Sequence, residues 1–181
     1  MKVVGIIQMT KEDLFDSDDA SNYCVGVAKS SKIFDDIIIA CPAGDHILAI
    51  EPYAKKWEVK IIEGDIDNVA SRLLLAAEQT KADIIVRLLA RQFYLDTDQL
   101  LMMINELIRQ DGDYVVLPYE YNYALVGDTF KKSALQKAVY EIHNIDNITT
   151  KNTMAFSPFI YMEENPKKFK HIHVSCGPKY D

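Results

Sequence analysis

The sequence predicts an α/β fold, in which a mostly parallel sheet lies between two layers of helices, from three observations. Short runs rich in Val and Ile recur at 3–8, 36–41, 59–64, 83–89 and 113–119. These runs are continuously apolar, as expected for strands that are covered on both faces. The segments between them place apolar residues three and four positions apart, which is the helical period. This alternation indicates a three-layer, Rossmann-like architecture.

The apolar period predicts three helices in the first two thirds of the chain, at 45–57, 67–81 and 97–110. Asp67 or Asn68 precedes the second helix, and Asp96 or Thr97 precedes the third. Their short polar side chains suit the N-cap position, where they accept from the first free N–H groups. Gly112 follows the third helix and suits its C-terminal cap.

After residue 119 the alternation stops, and the last third is predicted to be α+β in character. A looser antiparallel strand is expected within 120–130, a helix over 131–144, and a final strand within 165–176. No repeat or linker divides the chain, so we expect one domain over 1–181. Its end directly after a strand favours a domain excised from a longer protein.

The composition excludes several classes of partner. The 181-residue chain has a formal net charge of −7 and a pI near 5.1, so nucleic acid and anionic membranes repel it on average. No apolar run approaches the roughly 20 residues that span a bilayer. Cys24, Cys41 and Cys176 form no CxxC pair, which argues against a disulfide framework or a zinc site. We therefore expect a reduced, cytoplasmic protein whose partner is a small molecule or another protein.

Five stretches in order carry a family resemblance, at 1–8, 31–41, 63–88, 130–138 and 159–170. Together they resemble the cytidylyltransferases that activate sugars for surface polysaccharides, in particular the spore-coat branch related to acylneuraminate cytidylyltransferases. The resemblance implies a nucleotidyltransferase fold and formation of a CMP-sugar from CTP with release of pyrophosphate. It also implies Mg²⁺ as the cofactor of an active enzyme, a nucleotide or sugar ligand, and pairing of two chains through the later part of the sequence.

The sequence departs from this family at the loop after the first strand. The resembling enzymes carry a Q-A-R-x-x-S-x-R-L-P-x-K loop that holds the triphosphate. Here Gln8 is followed by MTKEDLFDSDDASNY, with five acids between Lys11 and Asp19. Phosphoryl transfer depends on positioning and charge compensation, which such a stretch does not supply. We expect a solvated acidic loop there.

A second departure lies at the end of the fourth strand, where the family shows R-I-T-G-D-C-P-L-I-D. Arg91 stands where the resemblance places the magnesium-binding aspartate. A guanidinium does not coordinate Mg²⁺, but it pairs with phosphate or carboxylate, or lies on a solvated rim. Further on, Val126 and Ala155 stand where the resemblance places an aspartate and a histidine. Asp128 remains as a candidate metal ligand.

The residues that persist near the expected ligand edge are our candidates for nucleotide or substrate binding: Gln8, Arg72, Arg87, Arg91 and Asp96. Arg72 has a second interpretation, as a helix arginine whose charged end reaches past the sheet edge. Two functions stay open. The first is an active CMP-sugar-forming enzyme that uses Mg²⁺. The second is a divergent, non-catalytic domain that serves polysaccharide or sugar-nucleotide biosynthesis as a binding or dimerisation module, and we favour this one.

Three further residue patterns give weaker predictions of function. His171 and His173 share a strand face, but a third metal ligand is not evident, and a surface strand is the simpler interpretation. Cys41 at a strand end is a candidate nucleophile, with a buried thiol as the alternative. The tyrosines within 118–125 suit stacking on a ligand or a protein interface, and we favour the interface. A response-regulator fold is excluded because its strand-five lysine is missing from 113–119.

Overall fold

The computed structural model describes residues 1–118, 121–122 and 125–175, except the side chains of residues 15–18. The strands are β1 (Val3–Gln8), β2 (Asp36–Pro42), β3 (Lys60–Gly64), β4 (Ile84–Leu89), β5 (Tyr114–Val116), β6 (Asp128–Lys131) and β7 (His171–His173). The helices are α1 (Lys11–Ser31), α2 (Asp45–Trp57), α3 (Val69–Gln79), α4 (Thr97–Arg109), α5 (Lys132–His143), α6 (Ile148–Phe156) and α7 (Pro158–Glu164).

The strands form one sheet in the order β3-β2-β1-β4-β6-β5-β7. Strands β3, β2, β1 and β4 are parallel to one another. Strand β6 is antiparallel to both of its neighbours, and β7 is parallel to β5. Because β1 pairs with β2 on one side and β4 on the other, the strand order reverses at β1. In open α/β sheets, ligands bind beyond the carboxyl ends of the strands at such a switch point.

Helices cover both faces of the sheet, and each face carries a buried apolar cluster. One cluster contains Ile7 and Trp57 and packs α1, α2 and α4 against the sheet. The other contains Ile6, Leu73 and Phe130 and packs α3, α5 and α7 against the opposite face. Neighbouring residues of β1 enter different clusters because strand side chains alternate between faces. This arrangement confirms the predicted three-layer α/β fold.

The acidic stretch after β1 forms the first turns of α1, so the prediction of a solvated loop is wrong. Only Met9 and Thr10 separate β1 from this helix. Glu12 and Asp13 lie in its first turn. Carboxylates are favourable there because the helix N-terminus carries partial positive charge. A run of acids therefore suits the start of a helix as well as a loop.

The three helices predicted before residue 111 form within two residues of their predicted ends. Asn68 caps α3 and Asp96 caps α4, each accepting from the backbone N–H three residues later, at 2.9 and 3.0 Å. At the end of α4, the left-handed residue is Asp111, with a φ of 53°. Gly112 follows it and donates its N–H to the Leu107 carbonyl at 3.0 Å. The predicted glycine thus belongs to the cap but lies one residue past the left-handed position.

The last third combines short strands and helices, as predicted, but with less strand than expected. Strand β5 covers only three residues of the predicted run. Of the antiparallel strand expected within 120–130, only the end forms, as β6 from residue 128. Residues 119–120 and 123–124 lie outside the described residues. The helix expected over 131–144 forms as α5, and the final strand forms as β7. Among the described helices, none has the length and apolar character needed to cross a bilayer.

Candidate functional site

A cavity of about 370 Å³ opens near the carboxyl end of β4, where the switch point predicts a ligand site. The residues that line it come from β4 and the turn after it, from β5, from the start of β6 and from α7: Arg87, Leu89, Gln92, Tyr114, Gly127, Asp128, Phe159 and Glu163. The cavity lies on the face of the sheet that α3, α5 and α7 cover, because Arg87 follows Ile85 by two positions in β4.

A buried ion pair between Arg87 and Asp128 forms one wall of this cavity. The antiparallel register places these two residues opposite each other on β4 and β6. Arg87 Nη1 donates to Asp128 Oδ2 at 2.6 Å, and both side chains are about nine-tenths buried. Arg87 Nε donates to Gln8 Oε1 at 2.9 Å, which connects the pair to the end of β1. The guanidinium carbon lies 4.4 Å from the centre of the Phe159 ring, within cation–π distance.

Burial and the neighbouring side chains have opposite effects on the pKa of Asp128. Burial raises the pKa of this carboxyl, whereas the Arg87 guanidinium favours its ionised form. The Tyr114 hydroxyl lies 3.4 Å from Asp128 Oδ1 and also lowers the pKa. Burial is the largest of these effects and the pKa is raised overall, but the 2.6 Å contact with the permanently charged Arg87 guanidinium favours the carboxylate. We therefore treat Arg87 and Asp128 as a charge-compensated pair.

The junction of β1 and α1 is closed by Asp13. Its Oδ2 accepts from the Thr10 backbone N–H at 2.6 Å and from the Thr10 hydroxyl at 3.1 Å. Its Oδ1 accepts from Arg91 Nε in an ion pair. The carboxylate is only 14% exposed, whereas Arg91 is half exposed. The Asp13 carboxylate thus occupies the N-terminal end of α1, and Arg91 compensates its charge.

Arg72 lies away from the cavity, where α3 approaches β3. It is 2% exposed, and its Nη1 donates to the Asp65 carbonyl. Its Nε has no hydrogen-bond partner among the described residues. Burial lowers the pKa of the guanidinium, while nearby Cys41 and Asp65 oppose that change. A Cβ on Gly64 would lie 2.9 Å from the Arg72 side chain, so the glycine permits this close packing.

The structure thus separates the residues that the sequence singled out. Gln8, Arg87 and Asp128 are connected at the cavity. Arg91 faces Asp13, and Asp96 caps α4. The sequence placed Gln92 at the ligand end of β4 but did not select it as a site residue, and it did not identify the other lining residues: Leu89, Tyr114, Gly127, Phe159 and Glu163. The position directly after β4 was the one available signal for Gln92, whose Oε1 accepts from the Leu89 N–H at 2.9 Å.

The described residues do not fit the magnesium site that the resemblance implies. Mg²⁺ prefers oxygen ligands in an octahedral arrangement, usually one or two free carboxylates together with waters and substrate phosphates. Asp128 is engaged by Arg87, and Arg91 lies where the family's aspartate is expected. No group of three His, Cys, Asp or Glu side chains in the described part of the chain is placed to hold a metal ion. Val126 and Ala155 are buried core residues.

The other predicted residue patterns form no second site among the residues that the structure describes. His171 and His173 face each other with ring centres 6.3 Å apart, and His171 Nε2 lies 2.9 Å from the Met162 carbonyl. Cys41 is fully buried, and burial raises the pKa of its thiol to about 11, which suppresses the reactive thiolate. Tyr121 is buried as well. Cys176, Tyr119 and Tyr123 lie outside the described residues.

The fold and the position of the cavity define the structural class to which the domain belongs. A mostly parallel sheet with a switch point at β1, an antiparallel strand beside β4 and a cavity near the carboxyl end of β4 form a nucleotidyltransferase-type α/β domain.

Several solved structures with a similar fold are cytidylyltransferases. A cytidylyltransferase from Leptospira borgpetersenii has a TM-score of 0.80 at 23% identity, with 97% of this chain and 76% of that one covered. CMP:2-keto-3-deoxy-manno-octonic acid synthetase, solved with CTP, has a TM-score of 0.67 at 11% identity, with 97% and 91% covered. The 4-diphosphocytidyl-2C-methyl-D-erythritol synthase from Anaerococcus prevotii has a TM-score of 0.65 at 12% identity, with 99% and 89% covered.

These likenesses confirm the predicted cytidylyltransferase-like fold. At such identities they establish the fold and not the reaction. No known family model matches the sequence, and no curated protein matches it.

Proposed function

We propose that this chain is a cytidylyltransferase-like ligand-binding module of sugar-nucleotide or polysaccharide biosynthesis that does not transfer nucleotidyl groups. The observation that carries the proposal is the junction of β1 and α1. Only Met9 and Thr10 separate the strand from the helix, and Asp13 occupies the helix end. A triphosphate placed there would meet the neutralised pair of Asp13 and Arg91, which lacks the net positive charge that a cationic loop supplies.

The nearby arginines support the same conclusion. Arg91 is paired with Asp13, and Arg87 is paired with Asp128. Nucleotidyl transfer requires cations or metal ions that compensate charge on the triphosphate as it reacts. Each arginine already has its charge offset by a carboxylate that is largely buried, so it offers little net positive charge to a triphosphate. Removing either arginine from its carboxylate to free that charge would leave a buried negative charge unpaired, which is strongly unfavourable.

The cavity supports binding of a small ligand. Its volume of about 370 Å³ lies at the lower end of the range of about 300–1,000 Å³ for ligand pockets. Such a volume suits a sugar better than a complete nucleotide triphosphate. Self-association, or association with a partner protein, stays a prediction of the family resemblance.

The test is a measurement of pyrophosphate release with CTP, Mg²⁺ and a panel of sugars and sugar acids. We expect no release above the background without protein, and no change in the melting temperature on addition of CTP and Mg²⁺. The 2-keto-3-deoxy-manno-octonic acid synthetase with its own substrates is the positive control. Sugar-dependent release of pyrophosphate, with stabilisation by CTP and Mg²⁺, would establish the alternative function, an active CMP-sugar-forming enzyme.

A further inference from the structure

Arg72 is a buried cation that forms no ion pair with any described residue. It is only 2% exposed, and arginine is rarely buried to this degree unless an acid pairs with it. The Asp65 carboxylate accepts instead from the backbone N–H groups of Asp67 and Asn68, at 2.8 and 3.1 Å. The nearby Cys41 thiol is neutral at neutral pH, because burial raises its pKa to about 11. The charge of the guanidinium therefore lacks a contacting anion among the described residues.

One edge of the Arg72 guanidinium has free donors. Nη1 donates to the Asp65 carbonyl, whereas the buried Nε has no hydrogen-bond partner and Nη2 donates to no described residue. The N–H bonds of Nε and Nη2 point in parallel and form the fork that binds two oxygens of one anion. A buried donor without an acceptor is rare in native proteins and requires an explanation.

The position of this guanidinium also favours an anion. Arg72 belongs to the first turn of α3, and its bond to Asp65 shows that the side chain reaches back towards the loop before the helix. The N-terminus of a helix carries partial positive charge, and the first turn of α3 contains no acidic residue. Residues 65–67 of this loop are exposed and follow the carboxyl end of β3. Ligands bind at this edge of open α/β sheets.

We propose that Arg72 anchors an anion-binding site at the N-terminal end of α3, and that this site takes the carboxylate of a small ligand. The two coplanar oxygens of a carboxylate match the N–H bonds of Nε and Nη2, and its single charge balances one guanidinium. A phosphate brings more charge than one guanidinium balances, and further oxygens that burial would remove from water. The site is separate from the cavity near β4, which Arg72 does not line. The result is therefore independent of the test for pyrophosphate release.

The test follows the arginine Nε–H signals in a ¹H–¹⁵N NMR spectrum of the unaltered protein. The chain contains four arginines, so each signal can be assigned through its side-chain carbons: Arg72, Arg87, Arg91 and Arg109. Sodium formate, the smallest carboxylate, is titrated at an ionic strength kept constant with sodium chloride. We expect the Arg72 signal to move and to reach saturation, while the other three signals change little. Sodium phosphate is expected to move the Arg72 signal less than formate at the same concentration.

The variant Arg72→Lys retains the charge but lacks the fork, so we expect formate to bind about tenfold more weakly, measured by the rise in melting temperature on addition of formate. The matched control is Arg109→Lys, because Arg109 is an exposed arginine of α4 that pairs with Glu106. It is expected to respond to formate as the unaltered protein does. An Arg72 signal that does not saturate, an equal response of the other arginines, a stronger response to phosphate, or full stabilisation of Arg72→Lys by formate would overturn the inference.

Discussion

At the scale of single residues, the ion pair between Arg87 and Asp128 determines the character of the cavity. Both side chains are about nine-tenths buried, and their charges lie 2.6 Å apart. Removing two charges from water costs several kcal/mol each, and the mutual attraction offsets that cost only while both partners are present. The loss of one partner is therefore more harmful than the loss of both.

A double-mutant cycle tests this dependence. We expect Asp128→Leu alone and Arg87→Met alone each to lower the free energy of unfolding by about 3–5 kcal/mol. The double variant is expected to lose clearly less than the sum, because it leaves no unpaired buried charge. The measurement is urea denaturation followed by circular dichroism. The exposed pair of Glu51 and Lys55 is the control, with a coupling of at most about 0.5 kcal/mol.

The sequence identified these two residues but not their pairing. Arg87 was expected to face a ligand, and Asp128 was a candidate metal ligand. They meet because β6 inserts beside β4 in an antiparallel register that matches them. That register depends on contacts between distant parts of the chain, and no local pattern at either residue encodes it. Glu163 likewise reaches the cavity only through the packing of α7.

At the scale of secondary structure, the short junction between β1 and α1 replaces the loop that the family resemblance implies. Asp13 stabilises the junction in two ways, since it accepts from Thr10 and pairs with Arg91. The acids within 11–19 leave no cationic contact for a phosphate in this stretch, whether it forms a loop or a helix. The conformation itself was not evident, because helix-starting residues and loop residues share the same polar composition.

We predict that Asp13→Ala lowers the free energy of unfolding by about 1–2 kcal/mol, as the loss of a good N-terminal cap does. Arg91→Ala is expected to cost less than about 1 kcal/mol, because this side chain is half exposed. Urea denaturation measures both changes. Asp19→Ala is the matched control, since Asp19 is an exposed acid further along α1, and a change within about 0.5 kcal/mol is expected there. An equal effect of Asp13→Ala and Asp19→Ala would contradict the assigned role.

At the scale of the whole molecule, the last third is joined to the rest through both core layers. Phe130 of β6 lies in the cluster that contains Leu73 of α3. Ile172 of β7 lies in the opposite cluster, together with Trp57 of α2. Strand β6 also pairs directly with β4 in the centre of the sheet. The alternation of strands and helices predicted the parallel part well, because each βα unit is local in sequence. The placement of β6 between β4 and β5 is non-local and could not be predicted in this way.

These shared clusters predict that the chain unfolds as one cooperative unit, as expected for a single domain. Trp57 is the only tryptophan, and its Nε1 donates to Asn22 Oδ1 at 2.8 Å, so its fluorescence reports on the layer of α1 and α2. Circular dichroism at 222 nm reports on all helices, including α5, α6 and α7 on the opposite face. We expect the two signals to give the same midpoint in urea and a single transition. If the fluorescence transition came at a clearly different urea concentration from the dichroism transition, the two layers would unfold separately, and the single-domain prediction would be wrong.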